Sequence, residues 1–110
     1  MELTLEVQCR DDKPILACQG HLICGDEAEA LLAAVVRLLA TSEQITLDLR
    51  ELRKMDCAGL GAIVASLNVA RQRGRSLELC AVPPRIRKMI DLAGLHGVLC
   101  FSEQPVQAAA

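Results

Sequence analysis

MDCAGLG, residues 55–61, joins two apolar patterns of different period. Before it, Ile45-Thr46-Leu47-Asp48-Leu49 is short and apolar at both ends, as in a central strand covered on both faces. After it, Leu60, Ile63, Val64 and Leu67 recur at helical spacing and predict a helix from Ala58 to Arg73, stopped by Gly74. A strand handing over to a helix is the basic unit of an α/β fold, and the junction is chemically distinctive. The first N–H groups of a helix lack intrahelical partners, and its dipole favours negative charge at that end. Asp56 stands where its carboxylate can accept from those groups. Gly59 and Gly61, without Cβ atoms, permit close backbone approach to a neighbouring strand or to a partner.

Outward from this junction the chain alternates strands and helices. Leu3-Thr4-Leu5-Glu6-Val7 has period two and predicts a half-exposed edge strand, and Pro14–Cys18 follows an Asp11-Asp12 turn, so the two read as a hairpin. From Asp26, a candidate N-cap with Glu29 three residues on, Ala28, Leu31, Leu32, Val35, Val36 and Leu39 mark a first helix. Beyond Gly74, Ser76–Val82 reads as a strand, Pro83-Pro84 starts a third helix running to about Ala93, and Val98–Phe101 reads as a last short strand. The order is ββαβαβα(β). Right-handed crossovers then make the strands on either side of the second helix parallel. Residues 102–110 have little to bury and are expected to be a frayed tail or weak helix.

With 110 residues, 52% of them hydrophobic and 24% charged, the chain can form one packed domain but not two. Phe101 is its only aromatic residue, so the core must be aliphatic and the stacking platforms of single-strand nucleic-acid binders are missing. A formal net charge of −2 gives no reason to expect a polyanion partner. Residues 71–90 nonetheless hold six bases against one acid, and residues 1–30 seven acids against two bases. Arg71, Arg73 and Arg75 fall at the negative end of the second helix, where a solvated basic cap is expected. The most apolar run, Leu31–Ala40, is broken by Arg37 and is far short of a membrane span, so no membrane insertion is expected.

Six cysteines, at 9, 18, 24, 57, 80 and 100, form no CxxC pair, and several fall in apolar strand-like runs. Reduced thiols, a cytoplasmic location and no metal site are expected. There is no phosphate-binding glycine loop and no paired-carboxylate spacing on one helix, so no cofactor and no enzymatic activity are expected. Cys57 supports one rival reading. A thiol at a helix start can act as a nucleophile or redox sensor, but no histidine or resolving cysteine is near it in sequence.

The order of elements, Leu47-Asp48-Leu49-Arg50-Glu51-Leu52 followed by MDCAGLG, the Ala81-Val82-Pro83 ending of the next strand and Ile90-x-x-Ala-Gly-Leu closing the third helix resemble STAS domains. That family is named for sulfate transporters and anti-sigma factor antagonists. The resemblance covers about residues 3–101, and its most specific part is Asp48-Leu49 with Asp56-x-x-Gly59-Leu60-Gly61. Gly20-His21-Leu22-Ile23 falls where many members carry Gly-Glu-Leu-Asp, and only Gly20 and Leu22 match.

The resemblance implies a mixed β-sheet of four to five strands with helices largely packed on one side, and a binding module without chemistry of its own. Antagonists of this family bind a serine-kinase anti-sigma factor and release a sigma factor. The kinase ends the interaction by phosphorylating the second serine of Asp-Ser-Ser-Gly. Carried across, the two serines fall on Cys57 and Ala58, so the phosphoacceptor position has no hydroxyl. Other members read Asp-Ser-Ala-Gly or Asp-Thr-Ala-Gly, including the small cytoplasmic subunit of the lipid-asymmetry ABC transporter, which binds an ATPase. The implied partner surface is Asp56, Cys57, Ala58, Gly59 and Leu60. The implied role is that of an antagonist-like regulator in a partner-switching pathway, with an accessory subunit of an ABC ATPase as the alternative.

Overall fold

The hairpin expected at the N-terminus forms first along the chain, because Leu3, Leu5 and Val7 alternate with polar residues and two aspartates follow. In the computed structural model, which describes residues 2–11, 13–95, 97 and 100–102, β1 (Leu3–Arg10) pairs antiparallel with β2 (Lys13–Leu22). The register runs unbroken from Leu3↔Gly20 to Arg10↔Lys13. Asp11 turns the chain at φ 55°, a left-handed conformation that aspartate tolerates better than most residues. Asp12 lies outside the described residues.

The remaining elements are α1 (Cys24–Leu39), β3 (Gln44–Asp48), β4 (Leu52–Met55), α2 (Cys57–Gln72), β5 (Ser76–Cys80), α3 (Pro84–Leu92) and β6 (Cys100–Ser102). The sheet runs β1-β2-β3-β5-β6, with every pair after the hairpin parallel. This is the mixed sheet implied by the resemblance, and β3 is parallel to β5 as the crossover rule requires. Beside the five-strand path stands β4, which pairs in parallel with the far end of β2 from Gly20↔Leu52 to Leu22↔Met55.

No pattern in the sequence predicts β4. It forms because the chain leaving β3 makes a tight turn and returns to the line of the same neighbour. Asp48 accepts from the N–H of Arg50 at 3.0 Å, its other carboxylate oxygen lies 3.7 Å from the Arg50 guanidinium, and Leu52 N–H donates to Leu49 at 3.0 Å. The far end of β2 is open to this strand because β3 stops at Asp48, opposite Ala17, and the β2–β4 register then shifts by one residue just after Gly20, which has φ 100°. A Cβ at Gly20 would meet the Glu2 carbonyl oxygen at 2.3 Å, so only glycine fits.

Parity along the strands separates the two faces of the sheet. Leu16, Leu47 and Leu79 lie side by side in register and are all buried. They pack in one cluster with Leu31, Val35 and Leu39 of α1, Leu60, Ile63 and Leu67 of α2, and Ile86 and Ile90 of α3. Full burial of each such side chain is worth about 1.5–3 kcal/mol, so this single layer of aliphatic contacts carries the fold. The helices therefore lie on one side. β3 is central, but its faces differ: Ile45 and Leu47 are fully buried whereas Thr46 is only half-buried.

Several boundaries differ from expectation for local reasons. α1 begins at Cys24 with Ile23 as N-cap and no side-chain cap bond, so Asp26 sits in the first turn and not at the cap. β2 feeds almost directly into this helix, and Asp26 and Glu27 favour its positive end from within. β5 stops at Cys80 and not at Val82, because Ala81 takes φ 54° and breaks the ladder. Val64, expected in the core, is half-buried, while Ala62, Ser66 and Ala70 are buried instead. The last strand is Cys100–Ser102; Val98 and Leu99 of the expected strand, and residues 103–110 of the expected tail, lie outside the described residues.

Candidate functional site

β2, β4 and β5 all deliver their C-terminal ends to the same edge of the sheet, and the MDCAGLG turn lies there between β4 and α2. Asp56 is the N-cap residue of α2, extended at φ −110° and ψ −171°. Its carboxylate accepts from the N–H of Gly59 at 2.9 Å, and its carbonyl accepts the helical bond from Leu60 at 2.9 Å. Its own N–H donates to the carbonyl of Leu22 at 3.3 Å. One aspartate thus ends β4, caps α2 and ties both to the end of β2. The first turn of α2 holds no other acid, so this carboxylate alone answers the positive end of the helix.

Gly59 has a structural reason of its own. A Cβ there would lie 2.2 Å from the Leu22 carbonyl oxygen, 2.8 Å from Leu22 Cγ and 2.9 Å from Met55 Cγ. The first turn of α2 therefore rests directly on the backbone of β2, a contact open only to glycine. Leu60 is buried in the core cluster. Gly61 is different: it is exposed, and a Cβ built on it meets nothing within 4 Å. The close approach expected for both glycines holds within this chain only for Gly59.

The five residues singled out by the sequence therefore divide. Cys57 and Ala58 are exposed, Asp56 is half-buried as a cap, and Gly59 and Leu60 face inward. Gly61 joins Cys57 and Ala58 on the solvent side of the same turn, and the spacing 57, 58, 61 could have marked it as their neighbour one helical turn on.

The thiols separate in the same way. Cys18 is buried, and burial, then the nearby charge of Asp48, pushes its thiol from the ordinary 9.0 up to about 12. It is a small core hydrophobe. Cys9 and Cys57 are exposed on different elements. Among the described residues no group of three or more His, Cys, Asp or Glu could hold a metal ion, and no helix is long and apolar enough to cross a membrane.

The profile of the family described as "Mlab, STAS domain" matches residues 5–100. The chain belongs to the STAS domain family. Among curated proteins it is 32% identical over 66 residues to the anti-sigma F factor antagonist of Paenibacillus polymyxa, a match covering 60% of this chain and 56% of that one. The chain thus spans a little over half the length of that relative. It is 27% identical over 75 residues to the anti-sigma-B factor antagonist of Bacillus subtilis, covering 68% of this chain and 69% of that one. A crystal structure of an anti-sigma factor antagonist from Mycobacterium paratuberculosis superposes with a TM-score of 0.77 at 21% identity, over 97% of this chain and 90% of that one. At that identity the superposition speaks for the fold: this STAS domain has the architecture of an antagonist.

Proposed function

We propose that this STAS domain is a non-catalytic, cytoplasmic regulator that docks on a serine-kinase anti-sigma factor through the first turns of α2, and that phosphorylation at the turn plays no part in its control. The observation that carries the reading is the solvent-facing pair Cys57 and Ala58, held at the start of a capped helix in the place where the family's antagonists carry two serines. The relatives named as anti-sigma factor antagonists support the class of partner. With methyl and thiol in place of two hydroxyls, the turn offers a small, uncharged surface that a kinase can grip but has no usual acceptor to modify.

The test is Ala58→Glu. A carboxylate in the first turn favours the isolated helix by about 0.3–1 kcal/mol, so the melting temperature should hold or rise slightly. In the complex the same charge is desolvated, and affinity for the kinase anti-sigma factor should fall at least ~30-fold, the scale of a central interface position. Equal affinity of wild type and Ala58→Glu, measured by calorimetry on folded proteins, places the interface elsewhere.

A second reading follows from the same pair. Asp-Cys-Ala-Gly is closer to the Asp-Ser-Ala-Gly or Asp-Thr-Ala-Gly patterns of the members that include the ABC transporter subunit than to Asp-Ser-Ser-Gly. Capture of an ABC ATPase from native cytosol, lost in Ala58→Glu, would favour that partner through the same surface.

A further inference from the structure

Among the described residues the N-terminal edge of the sheet is uncovered. β1 pairs with β2 and, among the described residues, with no other strand, since the sheet order begins with it, and its eight pairs run without a bulge. Natural edge strands are commonly blunted by bulges, prolines or inward charges, and none of these interrupts Leu3–Arg10.

The direction of the free backbone groups follows from one bond. His21 N–H donates to Glu2 at 2.9 Å, which makes Glu2 and His21 a hydrogen-bonded pair of the hairpin. Such pairs alternate along an antiparallel ladder, so Thr4, Glu6, Gln8 and Arg10 direct their backbone groups towards β2. Leu5, Val7 and Cys9 direct theirs to the open edge. The same three side chains project on the helix-bearing face, in line with Cys18, Leu16 and Pro14. Leu5 still packs against the core, but α1 lies over β2 and β3, and Val7 is left 55% exposed, one of two large hydrophobic residues so placed among those described.

We propose that β1 pairs with β1 of a second copy of this chain, antiparallel across a twofold axis through Val7. In that register Val7 stands opposite Val7 and Leu5 opposite Cys9, so the free N–H and C=O groups of each meet those of the other copy and apolar side chains face apolar ones. On the opposite face Glu6 stands against Gln8, whose amide already donates to Glu6 within one strand at 3.2 Å, and Thr4 stands against Arg10. Within the paired stretch, residues 4–10, no like charges are opposed.

The neighbouring registers fail on the same criteria. An axis through Glu6 sets two carboxylates directly opposite each other, which is destabilising in a sheet. An axis through Gln8 brings the turn residue Asp11 inward to Leu5 and shortens the paired stretch from residues 4–10 to residues 6–10. A one-residue slip places inward-directed groups against outward-directed ones and turns every side chain to the wrong face. A twofold contact of this kind closes on itself and ends at two copies. Because β2 of one copy would run opposite to β2 of the other, the two α2 N-termini would stand at opposite poles, both uncovered. The regulator would then be bivalent. The contact is short, so the association belongs with small, transient interfaces.

Sedimentation of the full chain under reducing conditions tests this. The weight-average mass should climb from 11.9 kDa towards twice that value as concentration rises from about 5 to 500 µM, as mass action requires of a weak dimer. Val7→Lys sets two ammonium groups face to face and should weaken association at least about tenfold while leaving the melting temperature unchanged, because Val7 contributes little to the core. The register is read by crosslinking in a Cys9→Ser, Cys57→Ser background. Val7→Cys should oxidise to a covalent dimer, since paired residues across a ladder stand within disulfide reach, and Thr4→Cys should not. A mass of 11.9 kDa at every concentration, a dimer indifferent to Val7→Lys, or equal crosslinking from both positions would overturn the proposal.

Discussion

Gly59 and Gly61 lie two residues apart in one helical turn, yet their replacement by alanine should move stability in opposite directions. At Gly61 the added methyl meets open space. The only change is in helix propensity, where alanine is better by roughly 0.8–1 kcal/mol. At Gly59 the methyl arrives 2.2 Å from a carbonyl oxygen, more than 1 Å inside van der Waals contact. That oxygen cannot retreat freely, because Leu22 is paired with Met55 in the sheet and accepts the Asp56 N–H. Overpacking of this kind costs about 1–3 kcal/mol. Losing the Asp56–Leu22 bond adds about 1 kcal/mol. The propensity gain offsets part of this, leaving Gly59→Ala less stable by about 1–3 kcal/mol. In a chain of this size that corresponds to a fall in melting temperature of about 5–15 °C, against a rise of about 3–5 °C for Gly61→Ala. Thermal unfolding followed by circular dichroism reads both. A Gly59→Ala protein as stable as wild type would refute the close contact between α2 and β2. A Gly61→Ala protein that loses stability would refute the open space at that position.

Three other outcomes follow from bonds and burial already described. Asp56→Ala removes the cap bond to Gly59 and should lower stability by about 1 kcal/mol, with Asp56→Asn retaining most of it, in urea titrations. The Cys18 thiol keeps its proton in the fold, up to about 12, whereas the unfolded chain releases it near 9.0. Its contribution is therefore fully present below pH 9.0 and lost as pH rises through the folded value. Unfolding free energy should fall by up to about 1.4 kcal/mol per pH unit in that window, and Cys18→Ala should flatten the slope. Incubation with ATP and a kinase that phosphorylates related antagonists should leave residues 56–61 unmodified by peptide mass analysis, since Ala58 has no hydroxyl to accept phosphate.

What could be read from the sequence was whatever rests on a long periodic pattern. Leu60, Ile63 and Leu67 place α2 within one residue of its start, and the Asp56 cap follows from residue type and position. β4 left no such trace: it has four residues, two of them the exposed Arg53 and Lys54, and it pairs with the end of β2 that β3 leaves open beyond Ala17. The start of α1 misled for a related reason. Asp26 looks like a cap by composition, but the chain is already committed to helix when it leaves β2 at Leu22. At the turn, sequence could name Gly59 and Gly61 as permissive without telling them apart. Only the position of the Leu22 carbonyl does that, and it belongs to a different part of the chain.

The interleaving along the first turns of α2 has a consequence for how such a surface changes over generations. Gly59, Leu60, Ala62 and Ile63 are turned inward, while Cys57, Ala58 and Gly61 are turned outward. The inward set answers to the sheet and tolerates little. The outward set touches nothing that the fold depends on, so its members can drift towards serine, alanine, threonine or cysteine with the scaffold unmoved. If the outward set is the docking surface proposed above, such a chain can exchange one partner, or one means of control, for another by a few substitutions that leave the inward set untouched.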